Sequence, residues 1–192
     1  VLCSAAGAAD DRDPNPRSID LPIVATTDRY PPYVDFCRRR PAQCQLQGAP
    51  VIPHSQRLLA DLEQVSAEVN RTIRFVLDSE AYSVEDFWTL PDRGYGDCED
   101  IALAKRAQLV ARGYPSASLR LAFVFNRKDL SAHCILTVET TRGTWVLDSY
   151  ADAVLLWSDS PYNFEARERP DGRWDRFDQS LWRYEATPSS GP

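Results

Sequence analysis

The chain has 192 residues, 43% of them hydrophobic and 26% charged. That suffices for one domain with a core and is too short for two of ordinary size. A formal net charge of −6 argues against a nucleic-acid or anionic-membrane partner held by bulk electrostatics. No apolar run reaches the length of about 18 residues that a membrane span needs, so none is expected.

In chain order, residues 1–13 read as the tail of a secretory signal, with Ala6-Gly7-Ala8 matching the small-residue cleavage pattern; a disordered N-terminus is the alternative. Leu2 is too large for a lipoprotein processing site, so Cys3 is not assigned a lipid anchor. Residues 14–53, rich in proline and arginine around Tyr30-Pro31-Pro32-Tyr33, predict an extended arm lying on the domain. Cys37 and Cys44 within it are either a disulfide, implying an oxidising compartment, or two reduced thiols; the short loop around Arg38-Arg39-Arg40-Pro41 favours the bridge. The only histidines are His54 and His133, so zinc held by these cysteines is not expected.

Residues 54–187 hold the predicted folded domain, and 188–192 a disordered tail. Ser55 caps a helix running to about Asn70, with Leu58, Leu59, Leu62, Val65 and Val69 on its apolar face. His54, ahead of that cap, reads as a surface residue. Ile73–Leu77 reads as a short strand or an extended segment, and Trp88 is either core or a wall of a cleft. Gly94-Tyr95-Gly96 then turns the chain into a helix closed by Gly113, with Asp97 and Asp100 as a capping pair and Leu103, Ala107 and Val110 as its stripe. Leu119–Phe125 predicts a buried strand, and Pro170-Asp171-Gly172 turns a later hairpin.

Cys98 falls in the first turn of the glycine-led helix. Free N–H groups and the dipole there favour a thiolate, although a small buried hydrophobe is the blander reading. Downstream, Ala132–Glu139 and Thr144–Asp148 have strand composition with a turn between them. In an antiparallel hairpin of this kind, paired positions have an odd sum. His133 and Asp148 therefore share a face, directly opposite or one diagonal step apart. Cys134 points to the other face, as core. An imidazole oriented by a carboxylate is what a cysteine nucleophile requires.

Asp97, Glu99 and Asp100 would oppose that thiolate by charge. On a helical wheel they span an arc of roughly 160° that excludes Cys98. They either converge away from the sulfur on a hard, oxygen-liganded cation, for which calcium suits better than zinc, or simply answer the helix dipole.

A cysteine at a helix start, a histidine on one strand and an aspartate on the next resemble the transglutaminase-like branch of the papain-type cysteine enzymes. The run Gly96-Asp97-Cys98-Glu99-Asp100, with Val69-Asn70, Ile73 and Trp88, and the Cys37 to Cys44 region, is similar to the bacterial transglutaminase-like cysteine proteases of the LapG type. The likeness runs from about Ile52 to about Trp157; a departure is Ser149, where the family pattern leads one to expect asparagine. The resemblance implies an α+β fold with a papain/transglutaminase-like core, the nucleophile helix packed on an antiparallel sheet. It implies catalytic Cys98, His133 and Asp148, and calcium ligands Asp97, Glu99 and Asp100. It further implies periplasmic cleavage of the N-terminal region of a large biofilm adhesin, restrained by an inner-membrane receptor that responds to cyclic di-GMP. Acyl transfer to an amine, or a calcium-binding module with an inactive triad, are the alternatives.

Overall fold

The computed structural model describes residues 19–185; the expectations for residues 1–13 and 188–192 lie outside them. Period-two alternation sorts the strand residues onto two faces. Leu121, Cys134, Leu136, Val138, Leu147, Ala166 and Trp174 join a core shared with the helices, whereas Ala122, Val124, Ile135, Val146, Tyr162, Phe164 and Phe177 form a second one with Ile19, Leu21 and Trp157. The helices therefore cover one face of the sheet.

In order the elements are β1 (Ile23–Thr27), α1 (Pro31–Arg39), a 3₁₀ turn (Pro41–Cys44), α2 (Gln56–Thr72), β2 (Arg74–Phe75), α3 (Asp78–Ala81), β3 (Tyr95–Gly96), α4 (Cys98–Ala111), β4 (Leu119–Asn126) and β5 (Ala132–Thr140), followed by β6 (Gly143–Leu147), β7 (Leu155–Leu156), β8 (Tyr162–Glu168) and β9 (Trp174–Phe177). The main sheet runs β1-β9-β8-β4-β5-β6-β7, and all its pairings are antiparallel. β2 and β3 pair in parallel, with Arg74 beside Tyr95 and Phe75 beside Gly96, which pins the glycine turn to the end of α2. The α+β class expected from the sequence is the one that forms.

The stretch read as an extended arm is instead a strand followed by a helix. Pro31 and Pro32 occupy the first helical positions, where their fixed φ suits the helix and the missing N–H has no partner to lose. α1 buries Tyr33 and Phe36 completely, in the same core as Trp88 and Leu103. A disulfide joins Cys37 to Cys44. Trp88 is core: it packs 4.8 Å from the Tyr33 ring and is 1% exposed.

α2 forms as its pattern predicts. Ser55 Oγ accepts from Leu58 N at 3.0 Å, a cap worth about 1 kcal/mol, and Leu58, Leu62, Val65 and Val69 are buried. α4 departs from its predicted stripe. Val110 is exposed, Leu109 is the buried residue of that turn, and Lys105 and Arg106 are buried as well. Arg106 is tolerated because its guanidinium meets Glu168 at 2.6 Å and reaches the Tyr33 hydroxyl at 3.1 Å. Breaking such a buried pair from one side costs about 3–5 kcal/mol. Among the described residues no helix is long and apolar enough to cross a membrane.

Candidate active site

The glycine turn, the start of α4 and the β5–β6 hairpin meet at one end of the sheet. Gly94 holds φ +77°, which only glycine adopts without strain. Gly96 is required for space: a Cβ there would sit 2.6 Å from Asp100 Cβ and Oδ2. Gly113 closes α4 at φ +94°, as predicted. The capping pair does not form. Asp97 precedes α4 without a side-chain cap bond; its Oδ2 instead accepts from Asp78 N at 3.4 Å, and Asp100 Oδ1 accepts from Thr89 N at 2.7 Å. Both carboxylates are drawn to the loop that folds over the helix start.

Cys98 is half-buried with a free thiol. Its sulfur donates to Glu99 Oε2 at 3.2 Å and takes a hydrogen bond from the backbone of Cys134, the residue after His133. Burial, and then the charges of Glu99 and Asp97, push the thiol well above its ordinary range. The sequence arc had Glu99 turned away from the sulfur. Its side chain folds back instead, because burial leaves the thiol as a donor in reach.

On the hairpin, β5 and β6 pair Leu136 with Leu147 and Thr140 with Gly143. Every such pair has an odd sum, and Asp148 lies one diagonal step from His133. His133 Nε2 meets Asp148 Oδ1 at 2.8 Å. An ionised carboxylate only accepts, so Nε2 is the donor in this bond. Nδ1 is buried and has no partner among the described residues. The ring is stacked on Tyr150, 4.3 Å away and 10° from parallel, with Tyr162 on its other flank at 5.6 Å. Asp148 also accepts from the Tyr162 hydroxyl at 2.5 Å and from Tyr150 N at 3.0 Å. Burial would raise its pKa, but His133 and the Tyr162 bond outweigh burial and hold it below the ordinary carboxylate range. Burial raises both Tyr150 and Tyr162, and both lie near enough to Cys98 to sense a thiolate formed there. Tyr150 and Tyr162, which the sequence did not single out, thus flank the His133–Asp148 pair, and Cys98 meets the same strand through the backbone of Cys134.

The acidic residues gather differently. Asp97, Glu99 and Asp100 do not form one trio. Asp78, Asp97 and Asp100 make one group and Asp78, Asp86 and Glu99 another, each with ligand atoms within 4.8 Å of one another. Asp78 is common to both. One oxygen each of Asp78, Asp86, Asp97 and Asp100 is buried without a partner. Burial pushes Asp78 up to about 6 and Asp100 up to about 8, and raises Asp86, Asp97 and Glu99 as well. Orphaned, hard oxygen donors at this density fit a divalent cation such as calcium. Asp78 and Asp86 were missed because the Asp78–Phe87 segment, one turn of helix and the irregular stretch after it, is too short to show a periodicity; its acidic composition was the one available signal.

The family described as bacterial transglutaminase-like cysteine proteinase, BTLCP, matches residues 24–181. Calcium-bound LapG of Legionella pneumophila is 28% identical, over 65% of this chain and 74% of its own, with a TM-score of 0.55. EGTA-treated LapG from the same organism is 27% identical, over 67% and 72%, at 0.55. A further LapG structure gives 28%, 60%, 67% and 0.52. A search of curated proteins finds no match.

Proposed function

The chain belongs to the bacterial transglutaminase-like cysteine proteinases, and from that membership we propose that it is a calcium-dependent periplasmic endopeptidase working through Cys98, His133 and Asp148. The observation that carries this is the imidazole whose Nε2 is held by Asp148 while Nδ1 is left without a partner among the described residues, one residue before Cys134, whose backbone bonds the Cys98 sulfur. In this reading His133 Nδ1 takes the thiol proton as the sulfur attacks a peptide carbonyl. The same nitrogen then protonates the leaving amine, and water releases the acyl group by the reverse path. Asp148 keeps the imidazole in the useful tautomer and faces the imidazolium when it forms. The Cys98 backbone N–H, at the head of α4, is placed to receive the oxyanion.

Asp78, Asp86, Asp97, Glu99 and Asp100 would hold calcium. When bound, the ion supplies positive charge that neutralises the cluster and fixes the loop aiming the nucleophile. Drawing Glu99 into ligation leaves the Cys98 thiol free to face the imidazole. The orphaned oxygens, and the likeness to a calcium-bound and an EGTA-treated LapG, support this.

Resemblance to the LapG type supports the substrate: the N-terminal region of a large biofilm adhesin, with an inner-membrane cyclic di-GMP receptor as the regulator. The test is incubation of the full chain with an N-terminal adhesin fragment, in calcium or in EGTA. Cleavage in calcium, lost in EGTA and in Cys98→Ala, is expected; an intact fragment under both conditions overturns the assignment.

A further inference from the structure

Asp148 lies just beyond the last β5–β6 pair, Leu136 with Leu147, and β7 resumes only at Leu155. The ladder therefore does not fix its peptide. Two helices do so instead. Lys105 Nζ donates to the Asp148 carbonyl at 2.6 Å and to Ser66 Oγ at 3.2 Å. Asn70 Nδ2, from α2, donates to the same carbonyl at 3.0 Å, to Ala151 O at 3.2 Å and to Asp152 Oδ1 at 2.9 Å.

Lys105 is 0% exposed and stands seven residues after Cys98 on α4, about 10 Å along a rigid axis. An ammonium in that position is a poor choice for stability. Burial pulls its pKa down to about 8 against the attraction of Asp148 and Asp152, and an apolar side chain of the same length would fill the space without desolvating a charge. A function that needs a donor accounts for it better.

We propose that Lys105, assisted by Asn70, is a positioning residue: it ties the helix that carries Cys98 to the peptide of Asp148, so that the carboxylate meets His133 Nε2. The inference rests on Asp148 being the orienting acid of the proposed function.

The test uses the full chain with calcium present, and iodoacetamide as the probe of Cys98, read by peptide mapping. His133 is one of two histidines, so a His54→Gln reference assigns its imidazole N–H resonance. Lys105→Met is expected to keep or raise the melting temperature, to slow Cys98 alkylation about tenfold, and to shift or abolish the downfield His133 N–H signal. Asn70→Ala, at a half-exposed position on the last turn of α2, is expected to slow alkylation about threefold with a smaller shift. Wild-type rates and an unmoved resonance in both variants overturn the inference. Should Lys105→Met not fold, the same result in Asn70→Ala overturns it. Asp148→Asn separates the two claims. If it alkylates at the wild-type rate, the acid assignment falls. If it is slow while Lys105→Met is normal, only the clamp falls.

Discussion

Asp148 and Asp100 are both buried carboxylates at the same end of the sheet, and they sit in opposite electrostatic circumstances. Asp148 accepts from His133, Tyr162 and a backbone N–H, so its charge is stabilised where it lies. Asp100 has one backbone donor, at Thr89, a bare second oxygen, and Asp97 and Asp78 as neighbours. Donors, not burial, decide which acid is at home. The Asp148 carboxylate is satisfied by the protein's own donors, whereas the acidic group around Asp100 keeps buried oxygens without one among the described residues.

The strongest way to break the contrast is to remove the satisfied acid. Asp148→Ala strands His133 Nε2 and the Tyr162 hydroxyl, and proteolysis should fall on the order of 10⁴-fold without loss of calcium binding by calorimetry. Next, Asp97→Ala, Glu99→Ala and Asp78→Ala should each weaken calcium by roughly 100-fold or more while the fold persists. Asp78 sharpens the test because it serves both acidic groups; unchanged affinity in all three variants would remove calcium from these residues.

Acidity separates the regions a third way. Asp78 and Asp100 are raised in the folded state, so without calcium they stabilise the fold below about pH 4 and lose that stability as pH climbs through about 6 and about 8. Asp148 is lowered, so its contribution is present above about pH 4 and is lost only in acid. The melting temperature in EGTA should therefore decline between about pH 4 and pH 8, and saturating calcium should abolish the decline. A flat profile in EGTA would contradict the arrangement. The smallest effect belongs to Tyr150, whose ring lies on the imidazole: Tyr150→Ala should cost about 1 kcal/mol, roughly fivefold in turnover, with calcium affinity unchanged.

What the sequence made legible follows the periodicities. The α4 helix with its glycine punctuation, the cap at Ser55, and the parity that sets His133 and Asp148 on one face all come from local spacing. Where it failed, a tertiary partner overrode the local rule. Pro31-Pro32 reads as extended until Tyr33 and Phe36 have a core to enter. Lys105 and Arg106 lie off the expected α4 stripe, and they are buried only because Asp148 and Glu168 supply acceptors. Asp78 and Asp86 join Asp97, Glu99 and Asp100 only because an irregular loop folds back over the head of α4, and no spacing rule reports such a closure.

Gly96 shows how narrow the margin between the two regions is. Its lack of a side chain admits the Asp100 carboxylate to van der Waals distance of the backbone, two residues before the nucleophile. A single methyl at this position would evict one ligand of the proposed ion while leaving sulfur, imidazole and acid chemically intact. The proposed ion site and the sulfur thus meet at a position where only a hydrogen fits.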